Sequence, residues 1–162
     1  MKIRQKGILN MLNVAFISLL ILPCIFLSAA ITYGAPLNWC KSKAKALSIA
    51  QSEGKIILLI AGRDTCGNTK HMRNICETNI PLHTLIEQHF VHWYCDLDSS
   101  KEWYIYEKGL SGSWDLPLIC CINPSDIVKI LDRSTGTQTP TVFLNRLQSI
   151  INSLTKLHKK NR

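Results

Sequence analysis

IILLIAGRDTCGNTKHM, residues 56–72, is the stretch from which the rest of the chain can be read. Apolar residues run unbroken from Ile56 to Ala61 and stop at Gly62. Arg63-Asp64-Thr65 form a short polar loop, Cys66 follows, and Gly67 to Met72 suit the first turn and a half of a helix. A strand, a sharp loop and a cysteine at a helix start together activate a thiol. The helix N-terminus carries partial positive charge and free N–H groups, which favour thiolate over thiol. Lys70, with His71 beside it, adds positive charge nearby. The competing reading is a small apolar cysteine buried where a strand meets a helix, since free cysteines are commonly buried and inert.

The 162 residues suffice for one domain with a core. A hydrophobic content of 46% with 19% charged residues fits a globular protein carrying one strongly apolar segment. The net charge is +8, but Lys2, Arg4 and Lys6 carry +3 and Lys156, Lys159, Lys160 and Arg162 carry +4, so only +1 remains for the body. That distribution gives no basic face for nucleic acid, and no nucleic-acid-binding module is present. Of the seven cysteines, Cys24 lies in the N-terminal apolar segment and six remain for the domain: Cys40, Cys66, Cys76, Cys95, Cys120 and Cys121. Their spacing contains no CxxC and no Cys/His pairing of zinc type, so no metal or other cofactor is expected. Cys120 and Cys121 are adjacent and in a strand would face opposite ways.

Residues 1–7 are basic, and residues 8–33 are mostly apolar. This is the n-region and h-region of an export signal, with Ser28-Ala29-Ala30 as a small-x-small cleavage site. An uncleaved membrane anchor is the alternative, because about 18 apolar residues can span a bilayer. Either way the expected location is outside the cytoplasm, in the periplasm or cell envelope, where disulfide chemistry is available. The domain division is 1–35 signal peptide or anchor, 36–157 globular domain and 158–162 basic tail. Contact with a membrane is expected only through an uncleaved N-terminal segment.

Lys41 to Glu53 is a helix, with Gly54 at its C′ position. Ile56 to Ala61 is a central strand covered on both faces. Helices follow from Cys66 to Thr78 and from Pro81 to His89. Phe90 to Asp96 is a second strand. Ser99 with Glu102 forms a capping box for a helix to Lys108. Pro117 to Ile122 and Ile127 to Leu131 are strands three and four, paired as a hairpin across the turn Asn123-Pro124-Ser125-Asp126. Thr139 caps and Pro140 opens the last helix, whose apolar stripe is Phe143, Leu147, Ile150, Ile151, Leu154 and Leu157. The fold class is therefore α/β: a four-stranded mixed sheet flanked by helices, with the first two strands parallel. The histidines His83, His89 and His92 are expected at the surface or half-buried.

This order, and four groups of residues, resemble the thioredoxin superfamily, a three-layer sandwich. The likeness is to exported thioredoxin-like domains related to the disulfide-interchange proteins, such as the C-terminal domain of DsbD. Trp39 precedes a helix ending in Glu53-Gly54-Lys55. Cys66-Gly67-Asn68-Thr69-Lys70-His71-Met72 resembles the family's CxxCKxM motif. Phe90-Val91 with Cys95-Asp96-Leu97-Asp98 resembles its second strand. Leu116-Pro117-Leu118 with Ile122-Asn123-Pro124 resembles its cis-proline strand and turn. The resemblance implies that Pro117 is cis and packs beside Cys66. An ordinary trans proline opening an edge strand is the alternative.

The chain departs from the family at the second motif cysteine, which is Thr69, and at the buried acid before the motif, where Ile60 stands. A dithiol attacks a disulfide with one thiolate and clears the mixed disulfide with the other; Cys66-x-x-Thr69 can do only the first half. Cys76 lies ten residues along the same helix, roughly 15 Å away, beyond the 7 Å or so that a disulfide spans between Cα atoms. Cys95, Cys120 and Cys121 are expected to be buried, and Cys40 is the least constrained. The implied function is an exported thiol–disulfide exchange protein of isomerase or reductase type. Cys66, Thr69 and Pro117 would be its site residues, and its partners would be protein substrates with cysteines or disulfides and a thiol reductant. The alternatives are a non-catalytic thioredoxin-fold module for binding or assembly, and a disulfide-crosslinked envelope protein.

Overall fold

Strand β1, Ile56–Gly62, is buried along its whole length. The computed structural model describes residues 36–160, and β1 lies inside their sheet. β2, Phe90–Asp96, runs parallel to it on one side, and β3, Leu118–Ile122, runs antiparallel on the other. β4, Ile130–Thr135, completes the order β2-β1-β3-β4 as an antiparallel partner of β3. The unbroken apolar sequence of β1 follows from this position, since alternate side chains enter two different cores. Ile56, Leu58 and Ile60 join one core with Met72, Cys76, Leu82, Ile86, Phe143 and Leu147. Ile57, Leu59 and Ala61 join the other with Ala46, Ala50, Trp93, Trp103 and Tyr106. Cys120 and Cys121 divide between the two cores in the same way.

Three helices cover the first face: α2 (Gly67–Thr78), α3 (Ile80–His89) and α5 (Pro140–Lys160). Helix α1 (Lys43–Glu53) and the single turn α4 (Tyr104–Glu107) cover the second. The mixed four-stranded sheet flanked by helices is the architecture expected from the sequence. The residues just before α1 extend the sheet by one bridge: the Cys40 N–H donates to the His92 carbonyl at 2.9 Å, and the Tyr94 N–H donates to the Cys40 carbonyl at 3.0 Å. The end of α1 is built as its sequence requires, with Gly54 left-handed at φ 65°. Asn79 caps α3 and Thr139 caps α5 through side-chain oxygens.

Four local expectations change. β4 starts at Ile130 rather than Ile127, because the Asp126 carboxylate accepts the Val128 N–H and the Asp126 carbonyl accepts the Lys129 N–H. Those turn bonds consume the backbone donors that a strand would need. The capping box at Ser99 does not form: the Glu102 carboxylate instead accepts the Lys43 N–H at the start of α1, and the helix there shrinks to four residues. His83 and His92 are buried rather than superficial. His92 lies edge-on to Trp39, with ring centroids 5.4 Å apart. Helix α5 continues to Lys160, into the stretch expected as a basic tail, and Leu157 at its end is exposed. The expected signal or anchor, residues 1–35, lies outside the described residues. Among those described, no helix is long and apolar enough to cross a membrane.

The stripe on α5 makes a quantitative contrast. Leu147 is fully buried and Leu157 is 58% exposed, so Leu147→Ala should cost about 2–5 kcal/mol of stability. Leu157→Ala should stay within about 0.5 kcal/mol. Urea unfolding followed by circular dichroism measures both.

Candidate active site

Cys66 is the N-cap of α2, with extended backbone at φ −81°, ψ 122°. Its N–H donates to the Arg63 carbonyl at 3.0 Å, and its carbonyl accepts the Lys70 N–H at 3.1 Å. The loop is thereby closed on one side and the helix started on the other. The sulfur faces the free N–H groups of the first turn. The Thr69 N–H is the largest influence lowering its pKa below the ordinary cysteine value, and the Thr69 hydroxyl is the next. Slight burial opposes them, while the Asn68 N–H and the Arg63 charge assist.

Thr69 is fully buried. Its Oγ1 is buried with no hydrogen-bond partner among the described residues, and it lies near enough to the Cys66 sulfur to favour the thiolate. The side chain sits on Gly62, where a Cβ would meet Thr69 Oγ1 at 2.3 Å. Gly62 therefore does more than stop the strand: it is the floor on which the cysteine helix rests.

Pro117 is buried, and the Leu116–Pro117 peptide bond is cis. Ala61 pairs with Leu118, so Pro117 stands opposite Gly62 at the end of the sheet where α2 begins. The N–H of Gly136, a left-handed residue at φ 74°, donates to both the Asp115 carbonyl (2.9 Å) and the Pro117 carbonyl (3.0 Å), tying the start of β3 to the end of β4. Cys66 and Thr69 thus touch, and Pro117 shares their end of the sheet. Beside them Arg63, Leu97, Trp103, Tyr104, Trp114 and Leu116 line a cavity of about 360 Å³, with Trp103 edge-on to Trp114 at 6.0 Å. A larger groove of about 620 Å³ runs between β4 and α5 and includes none of these residues.

The other described thiols are chemically opposite. Cys40, Cys76, Cys95, Cys120 and Cys121 are all free and buried. Burial raises the pKa of each, that of Cys120 to about 12. Cys76 lies on the unbroken helix that starts beside Cys66. Cys40 bridges to Trp93, three residues before the Asp96 that faces Gly62. That sets it roughly 10 Å back along the sheet, more than the 7 Å or so a disulfide spans. His71 is exposed. No group of three or more His, Cys, Asp or Glu side chains among the described residues could hold a metal ion. Sequence reasoning missed the site's structural supports Gly136, Trp103, Tyr94 and Arg73, since each reaches the site from a distant part of the chain and leaves no local pattern.

No known family's sequence model matches the chain, and no curated protein matches it. Solved structures do. A thioredoxin from Thermus thermophilus is similar over 72% of this chain and 88% of its own, with TM-score 0.58 and 18% identity. A mutant of a poplar thioredoxin h is similar over 74% and 86%, with TM-score 0.55 and 15% identity. A chain described as DsbH oxidoreductase is similar over 74% and 88%, with TM-score 0.51 and 17% identity. The fold is thus thioredoxin-like.

The geometry makes Thr69 a tuning residue for the sulfur. Alkylation of Cys66 by iodoacetamide should reach half its limiting rate at a lower pH than the roughly 8.5 of a free cysteine. Thr69→Val should move that midpoint up and Thr69→Ser should leave it near the original. Mass spectrometry of the Cys66 peptide across a pH series gives the three midpoints.

Proposed function

We propose that this chain is an exported thiol–disulfide exchange protein working through Cys66. The observation that carries the reading is the contrast among its thiols: Cys66 alone of those described has a lowered pKa and a half-exposed sulfur, while the other five are buried. In the proposed reaction the Cys66 thiolate attacks one sulfur of a substrate disulfide. A Cys66–substrate bond forms, the substrate's S–S bond breaks, and its second sulfur leaves as a thiolate that takes up a proton. With Thr69 at the resolving position, release comes from outside the motif. The substrate's own thiolate reattacks, giving isomerisation, or an external thiol reductant does so, giving reduction. Thr69 donates to the sulfur while it is a thiolate, and Pro117 with the neighbouring aromatic cavity receives the substrate chain next to its cysteine. Export rests on the apolar residues 8–33 and their small-residue cleavage site.

A second reading has its own support. Thr69 is so closely packed against Gly62 that it is a built part of the fold, as suits a binding or assembly module that has no redox cycle. The two readings differ in what Cys66 holds in cells.

Cells quenched in acid and alkylated should yield disulfide-linked partners of the chain, visible on non-reducing gels and absent from Cys66→Ser. Thr69→Cys, which supplies a resolving thiol three residues on, should deplete those species. If wild type and Cys66→Ser give the same gel pattern and the same cellular function, the exchange reading is wrong and the binding module stands.

A further inference from the structure

Two residues before the reactive sulfur stands a carboxylate, Asp64. Left free, a negative charge so near a thiolate would disfavour it. The fold meets this charge from two elements. Tyr94 in β2 donates its hydroxyl to Asp64 Oδ1 at 2.9 Å, and Arg73 in α2 donates Nη1 to the same oxygen at 3.1 Å. Arg73 also lies over the Tyr94 ring, 4.2 Å from its centroid, and reaches the Trp39 ring at 5.9 Å. Lys41, just before α1, places its ammonium 4.7 Å from the Tyr94 ring centroid. The Tyr94 hydroxyl also lies 3.3 Å from the Gly62 carbonyl, so one buried side chain grips both ends of the turn Gly62 to Asp64.

We propose that Arg73 and Tyr94 are positioning residues for Cys66: they hold the Asp64 carboxylate, neutralise it, and keep its charge off the sulfur while fixing the loop that presents it. This rests on the exchange reading, in which Cys66 reacts as a thiolate. Tyr94 remains a donor throughout, because burial, then the hydrogen bond to Asp64, raises its pKa. The other charges around the loop are accounted for. Arg63 pairs with Asp98 at 3.0 Å, Asp96 lies at the end of β2, and Lys70 with His71 occupies the first turn of α2. None of them contacts Asp64 by hydrogen bond or ion pair, whereas Arg73 and Tyr94 both do.

The test is the alkylation rate of Cys66 against pH in the whole 162-residue chain, read on the Cys66 peptide by mass spectrometry, with circular dichroism reporting the fold. Arg73→Gln should shift the midpoint upward by about half a pH unit, which slows the reaction at neutral pH about threefold. Adding Asp64→Asn to Arg73→Gln should return the midpoint to that of wild type, because the stranded charge is then gone. Arg73→Lys keeps the positive charge and should stay near wild type. An unmoved midpoint in folded Arg73→Gln, or a double variant as slow as the single one, overturns the proposal. Absence of Cys66-linked partners in cells would instead overturn the exchange reading and leave these titrations as they are, so the two fail separately.

Discussion

The site depends on how closely α2 approaches β1. At Gly62 the approach leaves no room for a Cβ, because the Thr69 side chain fills that space at 2.3–3.0 Å. With α2 seated there, its first turn lies just beyond the end of β1, and Cys66 becomes the residue at which the chain turns from loop to helix. The N–H groups and positive end of the helix dipole then fall on the sulfur, and the Arg63 charge assists them. A residue larger than glycine at position 62 would lift α2 and move the sulfur away from the end of the sheet.

The mixed sheet decides what else gathers at that end. β1 and β2 run parallel, so both finish there, at Gly62 and Asp96. β3 runs the other way and begins there, at Leu118. β4 finishes there too, at Thr135, so three strand ends and one strand start meet at the end of the sheet that carries Cys66, with the turn through Asp64, the turn after Asp96, and Pro117 among their loops. In open α/β sheets the carboxyl ends of the strands are where loops diverge and leave a crevice. Here the crevice is floored by Leu97, Leu116 and the tryptophans Trp103 and Trp114. Gly136 is the far support, since its single N–H is shared by two carbonyls on either side of Leu116.

Much of this was legible in the sequence, for physical reasons that can be stated. β1 was readable because a strand covered on both faces must be apolar at every position. Gly54, Thr139 and Pro140 marked helix ends because each satisfies a terminal requirement locally. The cysteine at a strand-to-helix turn was equally local. The errors arose where polar side chains had more than one backbone partner in reach. Glu102 could cap its own helix or reach Lys43, and it takes the distant N–H. Asp126 could sit in a short turn or prolong it, and it prolongs it. The histidines failed for another reason: His92 alternates correctly for a buried strand position, but its burial depends on Trp39 folding over it from 53 residues earlier. The Asp64–Arg73–Tyr94 contacts were invisible because a stacked ring and a shared carboxylate oxygen leave no spacing rule in the chain.

The five buried thiols bear on how the chain reaches its native state. Folded, they are shielded by packing from oxidants and from one another, and among the described cysteines only Cys66 is chemically addressable. Unfolded, all of them are ordinary reactive cysteines. Wherever oxidants are present, collapse of the two cores would compete with crosslinking among sulfurs that are free and buried in the native state. Burial in the native state thus leaves one of the described sulfurs, that of Cys66, within reach of a reagent in solvent.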